Sequence, residues 1–389
     1  MEKKVNDLIL AGEISAFTID TSVFERNSLA LENGLLAQLE QFRKSEFELV
    51  IANTVANEVK RHLVKNATDA RKALRAALAH TAKHQALSSA HQEELTALSN
   101  LAGADVDARA RKRFDDWVKL VGADVIHEED FVSVGEVMRR YEAGEPPFAE
   151  TGDKRHEFPD AVALLTLEGW AEMRETKILA VAHDKDWQRY GAQSKRLIVV
   201  DDLAEALSMI QGLGAAREPA VRLATVYVRG DAMGLDAAVL DAARNQVDKF
   251  EFRIEADSQF TVQEDGIEAT VDVVSLDIPD STGSTLDTIS HDDGKAVIKL
   301  SGTAYLTIDT HFSFKKFDSI DRDYVGMGGT TISNDVEIEF EALVTVQIDA
   351  DGLALEGIEL LPVTHYMHFS DLEPDWMSDP DDYGTYDRA

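Results

Sequence analysis

The chain has 389 residues, of which 44% are hydrophobic, and it contains no cysteine. This length favours two or three domains. The lack of cysteine excludes disulfides, zinc–thiolate sites and thiol catalysis, and it suits a reducing cytoplasm, which we expect as the location. The sequence contains no run of eighteen apolar residues and no segment typical of a secretory signal, so we expect no membrane association.

The formal net charge is −33, which argues against nucleic acid as a partner of the chain as a whole. The charge is unevenly spread. Residues 1–250 hold 32 basic and 41 acidic residues, a net charge of −9, whereas residues 251–389 hold 7 and 31, a net charge of −24. Between residues 53 and 120 the basic residues outnumber the acidic ones, 12 to 8, so a polyanion could approach this stretch.

Short apolar runs alternate with helical patterns over the first two hundred residues. Strands are predicted from AFTID (16–20), FELVIAN (47–53), KILAVAHD (177–184) and RLIVVDD (196–202). Helices are predicted between them, at residues 29–44, 54–89, 91–101, 108–121, 132–142 and 159–174. This alternation indicates an α/β domain over residues 1–212, with a central parallel sheet flanked by helices and a long helical insertion at about residues 65–150.

The pattern changes after residue 212. Residues 213–250 are predicted to form a linker or short edge strand, followed by a helix at about 233–247. Residues 251–370 alternate apolar and polar positions between turn residues, which predicts a mostly antiparallel β domain, either a sandwich or an open barrel. Residues 371–389 form an acidic tail that we expect to be flexible.

Acidic residues stand at the ends of several elements of the N-terminal domain. Asp20 and Asp184 end predicted strands, whereas Glu58 and Asp160 lie in the first turns of predicted helices. In parallel α/β sheets, strand carboxyl ends and helix N-termini meet along one edge, where ligands bind. We therefore expect these four carboxylates to converge, with Asp186 nearby. Taken singly, each also has a structural explanation as a helix cap, a dipole partner or a solvated surface residue.

Several ionised carboxylates lie close together only when a positive charge joins them. A hard divalent cation with oxygen ligands is the simplest solution, and both Mg²⁺ and Mn²⁺ accept such a shell. One or two such ions activate water or bracket a phosphoryl displacement. The acids therefore indicate a phosphodiester as the target.

Four stretches together resemble the PIN-domain nucleases over about 210 N-terminal residues. They are TIDTSVF, NEVKRHL, KRHEFPDAVALLTLEGWA and ILAVAHDKDW, in this order. The combination of EFPDA with HDKDW is similar to a bacterial PIN-like group. The resemblance implies a metal-dependent endoribonuclease that cuts RNA, with a central parallel sheet and an acidic pocket for Mg²⁺ or Mn²⁺.

The resemblance also assigns roles to residues. It implies that Asp20, Glu58, Asp160 and Asp184 are the catalytic and metal-binding acids. Supporting roles are implied for four further side chains, which are Thr21, Ser22, Glu157 and Asp186. The long helical insertion and the β-rich C-terminal part depart from the family pattern and leave the substrate open.

Basic residues near these acids are candidates for substrate binding. Lys60, Arg61 and Lys65 begin a long basic helix that starts beside the expected pocket, where they would track the phosphate backbone. Lys154 and Arg155 stand next to the expected pocket, where they would neutralise a scissile phosphate. The alternative is an ordinary solvated helical hairpin.

Other functions remain open at this point. The chain has no P-loop motif, no HExxH zinc motif and no nucleophile-elbow motif. A catalytically silent PIN-like scaffold acting as a binding or regulatory module is one alternative, and a nuclease acting on DNA is another. The acidic C-terminal part is expected to mediate self-association or bind a protein partner, or to restrain the nuclease. A toxin or defence role is a further hypothesis.

Overall fold

A computed structural model of the chain describes residues 2–45, 47–101, 105–146, 148, 158–211, 218–230, 233–292, 294–318, 322–349 and 352–378. The chain forms two compact units, Met1–Ala215 and Ala216–Ala389. Among the helices in these ranges, none has the length and apolar character needed to cross a membrane.

A five-stranded parallel sheet forms the centre of the N-terminal unit. Its strands are β1 (Ile14–Ile19), β2 (Glu48–Ala52), β3 (Asp124–Ile126), β4 (Lys177–Val181) and β5 (Leu197–Val200), in the order β3-β2-β1-β4-β5. Phe17 of β1 pairs with Leu49 of β2 and with Leu179 of β4, and all three side chains are buried. The predicted central parallel sheet is confirmed.

Helices connect these strands. They are α1 (Glu2–Leu10), α2 (Thr21–Arg26), α3 (Gly34–Ala37), α4 (Asn53–Lys83), α5 (Ser89–Leu101), α6 (Val106–Val121), α7 (Val134–Ala143), α8 (Phe158–Met173), α9 (Lys185–Gly191) and α10 (Leu203–Gln211), with 3-10 turns at Gln38–Lys44 and Glu128–Asp130. The prediction of one helix over residues 29–44 is wrong at its start. Ser28 and Leu29 both adopt left-handed backbone angles, with φ of 53° and 54°, and this conformation does not continue a right-handed helix.

Helix α8 lies in the interior of this unit. Ala161, Leu164 and Leu167 are fully buried, because the helix packs against β2, β4 and the 3-10 turn at Glu128–Asp130. Such a helix is apolar nearly all round, as helices in the core of a domain are. Strand β3 was not predicted, since its three residues are too few to show a period.

Antiparallel strands dominate the C-terminal unit. The elements are α11 (Glu218–Val228), α12 (Leu235–Asn245), a 3-10 turn (Val247–Lys249), β6 (Phe250–Ser258), β7 (Thr261–Leu276), β8 (Asp287–Asp292), β9 (Lys295–Asp318), β10 (Asp323–Asp349), β11 (Gly352–Leu360), β12 (Val363–Leu372) and α13 (Asp375–Ser378). The main sheet has the order β11-β10-β9-β7, and β8 also pairs with β9. The predicted antiparallel character is confirmed, although β6 and β12 form a separate parallel pair.

Residues 298–314 of β9 alternate between two faces. The even-numbered positions, among them Ile298, Leu306 and Phe312, are buried, and the odd-numbered ones are partly exposed. The β6–β12 pair packs on the buried face, where the rings of Phe369 and Phe312 lie 5.1 Å apart. This sheet therefore has one core face and one polar face, as antiparallel sheets commonly do.

Over the residues that the structure describes, the C-terminal unit begins and ends with helices, α11 and α13. The prediction of a linker or edge strand is wrong over residues 218–224, which begin helix α11, because Ala220, Leu223 and Ala224 bury one helical face. Of the predicted flexible tail, residues 379–389 lie outside the described residues. Residues 371–378 include the end of β12 and α13, where the indole N–H of Trp376 donates to the Met327 carbonyl at 2.7 Å.

Candidate active site

Two neighbouring strands of the parallel sheet end in aspartates that cap the next helix. Asp20 follows β1 and caps α2, and Asp184 follows β4 closely and caps α9. The backbone N–H of Asp20 donates to the Val181 carbonyl of β4 at 3.0 Å. The two aspartates therefore lie at the same edge of the sheet, as parallel α/β topology requires.

A hydroxyl group ties these two strand ends together. The Ser22 Oγ donates to Asp20 Oδ2 at 2.6 Å, and the Ser22 backbone N–H donates to the same oxygen at 3.1 Å. The backbone N–H of His183 donates to Ser22 Oγ at 3.2 Å. Asp20 is only 4% exposed, so its carboxylate is held in one orientation by Ser22 and by burial.

Helix α4 brings a third acid to this edge. The Thr21 Oγ1 donates to Glu58 Oε2 at 3.1 Å, which links the start of α2 to the second turn of α4. The other oxygen of Glu58 lies 3.9 Å from Arg61 Nη2 and 4.0 Å from His62 Nε2. Glu58 therefore stands between a hydroxyl on one side and basic groups on the other.

The fourth acid, Asp160, has a strongly raised pKa. Burial raises the pKa of the Asp160 carboxyl, and the charges of Asp20, Asp184 and Glu58 raise it further, to about 7. The nearby indole N–H of Trp187 opposes this rise, although this buried group makes no full hydrogen bond. Burial also raises the pKa of Asp20, with a smaller contribution from Asp184.

These acids suit a cation in charge and in donor type. Carboxylate oxygens are the ligands that Mg²⁺ and Mn²⁺ take, and the pKa of Asp160 is raised first by burial and then by the negative charges of Asp20, Asp184 and Glu58. Within the described ranges, however, no three Asp, Glu or His side chains approach closely enough to hold a metal ion as they stand. Side-chain rotation would have to bring their oxygens together around an ion.

Asp186 occupies a different environment from the other acids. Its backbone N–H donates to Asp184 Oδ1 at 2.6 Å, and its fully buried carboxylate pairs with the Arg189 guanidinium. The residue therefore helps to hold the start of α9. Its predicted supporting role stays a prediction.

The predicted basic residues fall into three groups. Lys60 pairs with Asp115 at 2.6 Å and lies over the Phe114 ring, and Lys65 pairs with Asp69 at 3.2 Å, so both contribute to ordinary surface ion pairs. Arg61 is 66% exposed next to Glu58. Lys154 and Arg155, like the predicted supporting acid Glu157, lie outside the described residues.

Sequence reasoning did not assign Arg26 and Trp187 to this region. The Arg26 guanidinium lies 3.1 Å from His183 Nδ1. The pKa of His183 is lowered, mainly by burial and to a smaller extent by the positive charge of Arg26. Trp187 is completely buried behind Asp160 and is not free to stack on a base. Its place in the stretch HDKDW, three residues after Asp184, is the only sequence signal for its proximity to the acids.

Comparison with known proteins gives one family for this region. Residues 18–187 match the family model described as PIN domain. The matched stretch runs from β1 to α9 and includes all four acids. No curated protein and no solved structure gave a significant match to the chain.

Proposed function

Because the N-terminal unit is a PIN domain and PIN domains are generally nucleases, we propose that this chain is a metal-dependent endoribonuclease. It hydrolyses RNA phosphodiester bonds at the edge of the sheet where β1 and β4 end. Asp20, Glu58, Asp160 and Asp184 are the proposed ligands of a Mg²⁺ or Mn²⁺ ion. RNA rather than DNA is proposed from the sequence resemblance.

One observation carries the site assignment. The carboxyl of Asp160 has its pKa raised to about 7 by burial and by three acids that stand up to 140 positions away in sequence. Structural surface acids are more commonly paired with cations, as Glu32 is with Arg113. A buried group of like charges is costly for folding, and strongly perturbed groups of this sort cluster at functional sites.

The residues of the chain have separable tasks in this proposal. The Ser22 hydroxyl orients the Asp20 carboxylate, and the Thr21 hydroxyl orients that of Glu58. In the absence of a cation the Asp160 carboxyl holds a proton up to about pH 7, so this acid must ionise before it can act as a ligand. A bound divalent ion would activate water and stabilise charge on the phosphate.

Replacing Asp20 by asparagine tests the activity. The measurement is the rate of cleavage of 5′-labelled RNA, and of a DNA of the same sequence, in Mg²⁺, Mn²⁺ or EDTA. We expect the rate of RNA cleavage to fall at least ~100-fold in Asp20→Asn. Replacing a residue that only hydrogen-bonds to a metal ligand already lowers activity about 10- to 100-fold, and Asp20 is a proposed ligand itself. The asparagine keeps an acceptor for Ser22, so thermal stability should be retained.

Glu93→Gln is the matched control for this experiment. Glu93 is an exposed acid on α5, and its replacement removes one negative charge away from the acids. Equal RNA cleavage by the wild type and Asp20→Asn would end the proposed mechanism. Faster cleavage of the DNA than of the RNA would move the function to a DNA nuclease.

A silent scaffold is the competing function, and the spread of the acidic side chains in this structure favours it. Thermal denaturation with and without Mn²⁺ separates the two. If the chain is a metal-dependent nuclease, Mn²⁺ should raise the melting temperature of the wild type and of Glu93→Gln. It should not raise that of Asp20→Asn. A scaffold without a cation site shows no such shift in any of the three proteins.

A further inference from the structure

A cavity of about 580 Å³ lies where helices α4 and α8 begin, and these helix starts also carry Glu58 and Asp160. Its walls come from the start of α4, from α6 and from the start of α8. Asn57 and Pro159 line it, and each directly precedes one of the acids, Glu58 and Asp160. The same two helix starts therefore supply both a wall of this cavity and two of the four acids.

Two guanidinium groups line this cavity. They belong to Arg61 of α4 and Arg111 of α6, and both side chains are exposed. In the part of the chain that the structure describes, Arg111 has no acidic partner, whereas Arg61 lies 3.9 Å from Glu58 Oε1. The Glu128 carboxylate also lines the cavity, but the Asn53 amide holds it at 3.1 Å. The ionised lining groups therefore sum to one positive charge.

The cavity wall also contains a buried hydroxyl without a hydrogen-bond partner. The Thr54 Oγ1 is buried and makes no hydrogen bond, although Thr54 lines the cavity. A buried unsatisfied hydroxyl is unfavourable, because it has lost its hydrogen bonds to water and gained none in the protein. Thr54 also lies in the first turn of α4, whose cap residue Ala52 offers no side-chain acceptor, so backbone N–H groups at this end are available to an anion.

An aromatic ring completes the cavity. Phe158 lines it, and the Phe158 ring is held by Tyr141 and Phe148, with centroids 5.0 Å and 5.1 Å away. A ring fixed in this way offers a stacking surface at little cost in side-chain entropy. Stacking on an aromatic side chain is favourable for any base, because every base has a π-face.

We propose that this cavity binds the RNA strand next to the phosphodiester that is cut, with a phosphate between Arg61 and Arg111 and a base against Phe158. The Asn57 amide donates to the phosphate, and the Thr54 hydroxyl does so after its side chain rotates toward the cavity. The assignment rests on the proposed nuclease function for its choice of ligand. It adds Thr54, Arg111 and Phe158 to the residues that position the substrate.

Binding of a fluorescein-labelled RNA of ten nucleotides tests the cavity, measured by anisotropy with the full chain carrying Asp20→Asn. We expect Arg111→Gln to raise Kd about 10-fold and to lower the slope of log Kd against log salt by about one. The control is Arg109→Gln, which removes the same group from the same helix but lines a different cavity. We expect it to change Kd less than twofold. Equal effects of the two substitutions would overturn the assignment, because only the general field of α6 would then matter.

Thr54→Val separates a binding role from a structural one. The valine replaces the unsatisfied hydroxyl by a methyl group, so we expect the melting temperature to rise. We also expect Kd for the RNA to rise about threefold. A higher melting temperature with unchanged Kd would remove Thr54 from the site.

Phe158→Leu tests the base contact. We expect it to weaken binding of the RNA roughly fivefold or more and to leave binding of an abasic strand of the same length unchanged. An equal loss for both strands would contradict stacking. These readouts are independent of cleavage: if the wild type cuts no RNA but Arg111→Gln still weakens binding selectively, the cavity assignment stands and the proposed activity fails.

Discussion

Asp160 shows how a single residue reports on its surroundings. It opens helix α8, where an acid suits the helix dipole, and its sequence context alone is explained by that effect. The structure adds burial and three nearby carboxylates, all of which disfavour its charged form. A surface acid at a helix start would show the opposite shift. The residue is therefore more than a helix-starting acid.

The shift predicts how stability depends on pH in the metal-free protein. The pKa of Asp160 is about 7 in the folded chain, whereas an exposed aspartate has a pKa of about 3.8. Between pH 3.8 and pH 7 the Asp160 carboxyl is therefore protonated in the folded chain and ionised in the unfolded chain. The contribution of Asp160 to stability is lost as the pH rises through about 7. Asn cannot ionise, so Asp160→Asn should gain stability relative to the wild type between pH 5 and pH 8.

Melting temperatures in EDTA across that pH range provide the measurement. The difference between Asp160→Asn and the wild type should grow with pH, and Mn²⁺ at pH 8 should stabilise only the wild type. A difference that does not change with pH would show that the carboxyl ionises normally.

At the level of elements, the caps and the candidate site coincide. Asp20 and Asp184 do cap α2 and α9, through the backbone N–H groups of Ser22 and Asp186. The capping explanation and the functional one are therefore compatible, because a helix that starts directly after a strand places its cap at the sheet edge. The Thr21–Glu58 hydrogen bond then joins α4 to the same edge.

Strand packing in the C-terminal unit predicts that replacing glycine by alanine has different effects at two positions. A Cβ at Gly302 in β9 would lie 2.5 Å from the Ser275 carbonyl oxygen, whereas a Cβ at Gly266 in β7 would meet nothing within 4 Å. Gly302→Ala must therefore move backbone and should destabilise the unit by about 1–3 kcal/mol. Gly266→Ala should be neutral or slightly stabilising, since alanine loses less backbone entropy.

Urea denaturation followed by circular dichroism in the β-sheet region would measure both substitutions. Similar destabilisation by both would contradict the close approach of β7 to β9 at Gly302.

Over the whole molecule, charge divides the chain. Residues 251–389 carry a net charge of −24, and the outward face of β10 contributes Asp335, Glu337, Glu339 and Glu341. Such a field repels RNA over roughly a Debye length, about 10 Å at 0.1 M salt. This charge therefore argues against direct contact between the C-terminal unit and RNA.

Removing the acidic unit should therefore strengthen RNA binding at low salt. We expect residues 1–215 with Asp20→Asn to bind the ten-nucleotide RNA several-fold more tightly than the full chain at low ionic strength. The difference should disappear near 1 M salt, where the Debye length is about 3 Å. Circular dichroism must first show that the fragment is folded. Weaker binding by the folded fragment would mean that the acidic unit takes part in holding RNA.

Local patterns predicted the parallel sheet, most of its helices and the position of the four acids at strand ends and helix starts. They could do so because buried strands and amphipathic helices leave a period in the sequence, and because parallel topology brings strand ends together wherever it occurs. The three-residue β3 and helix α11 left no clear pattern, the first because it is too short and the second because alanines carry much of its buried face.

What the sequence by itself determined is which chemical groups are available and on which edge of the sheet they stand. Only the tertiary structure decided their state: Lys60 is paired with Asp115, whereas Arg111 faces a cavity. It also decided that Asp160 holds its proton to about pH 7. Pairing, burial and proton affinity depend on distances between residues remote in sequence, because Coulomb and desolvation energies act through space and not along the chain.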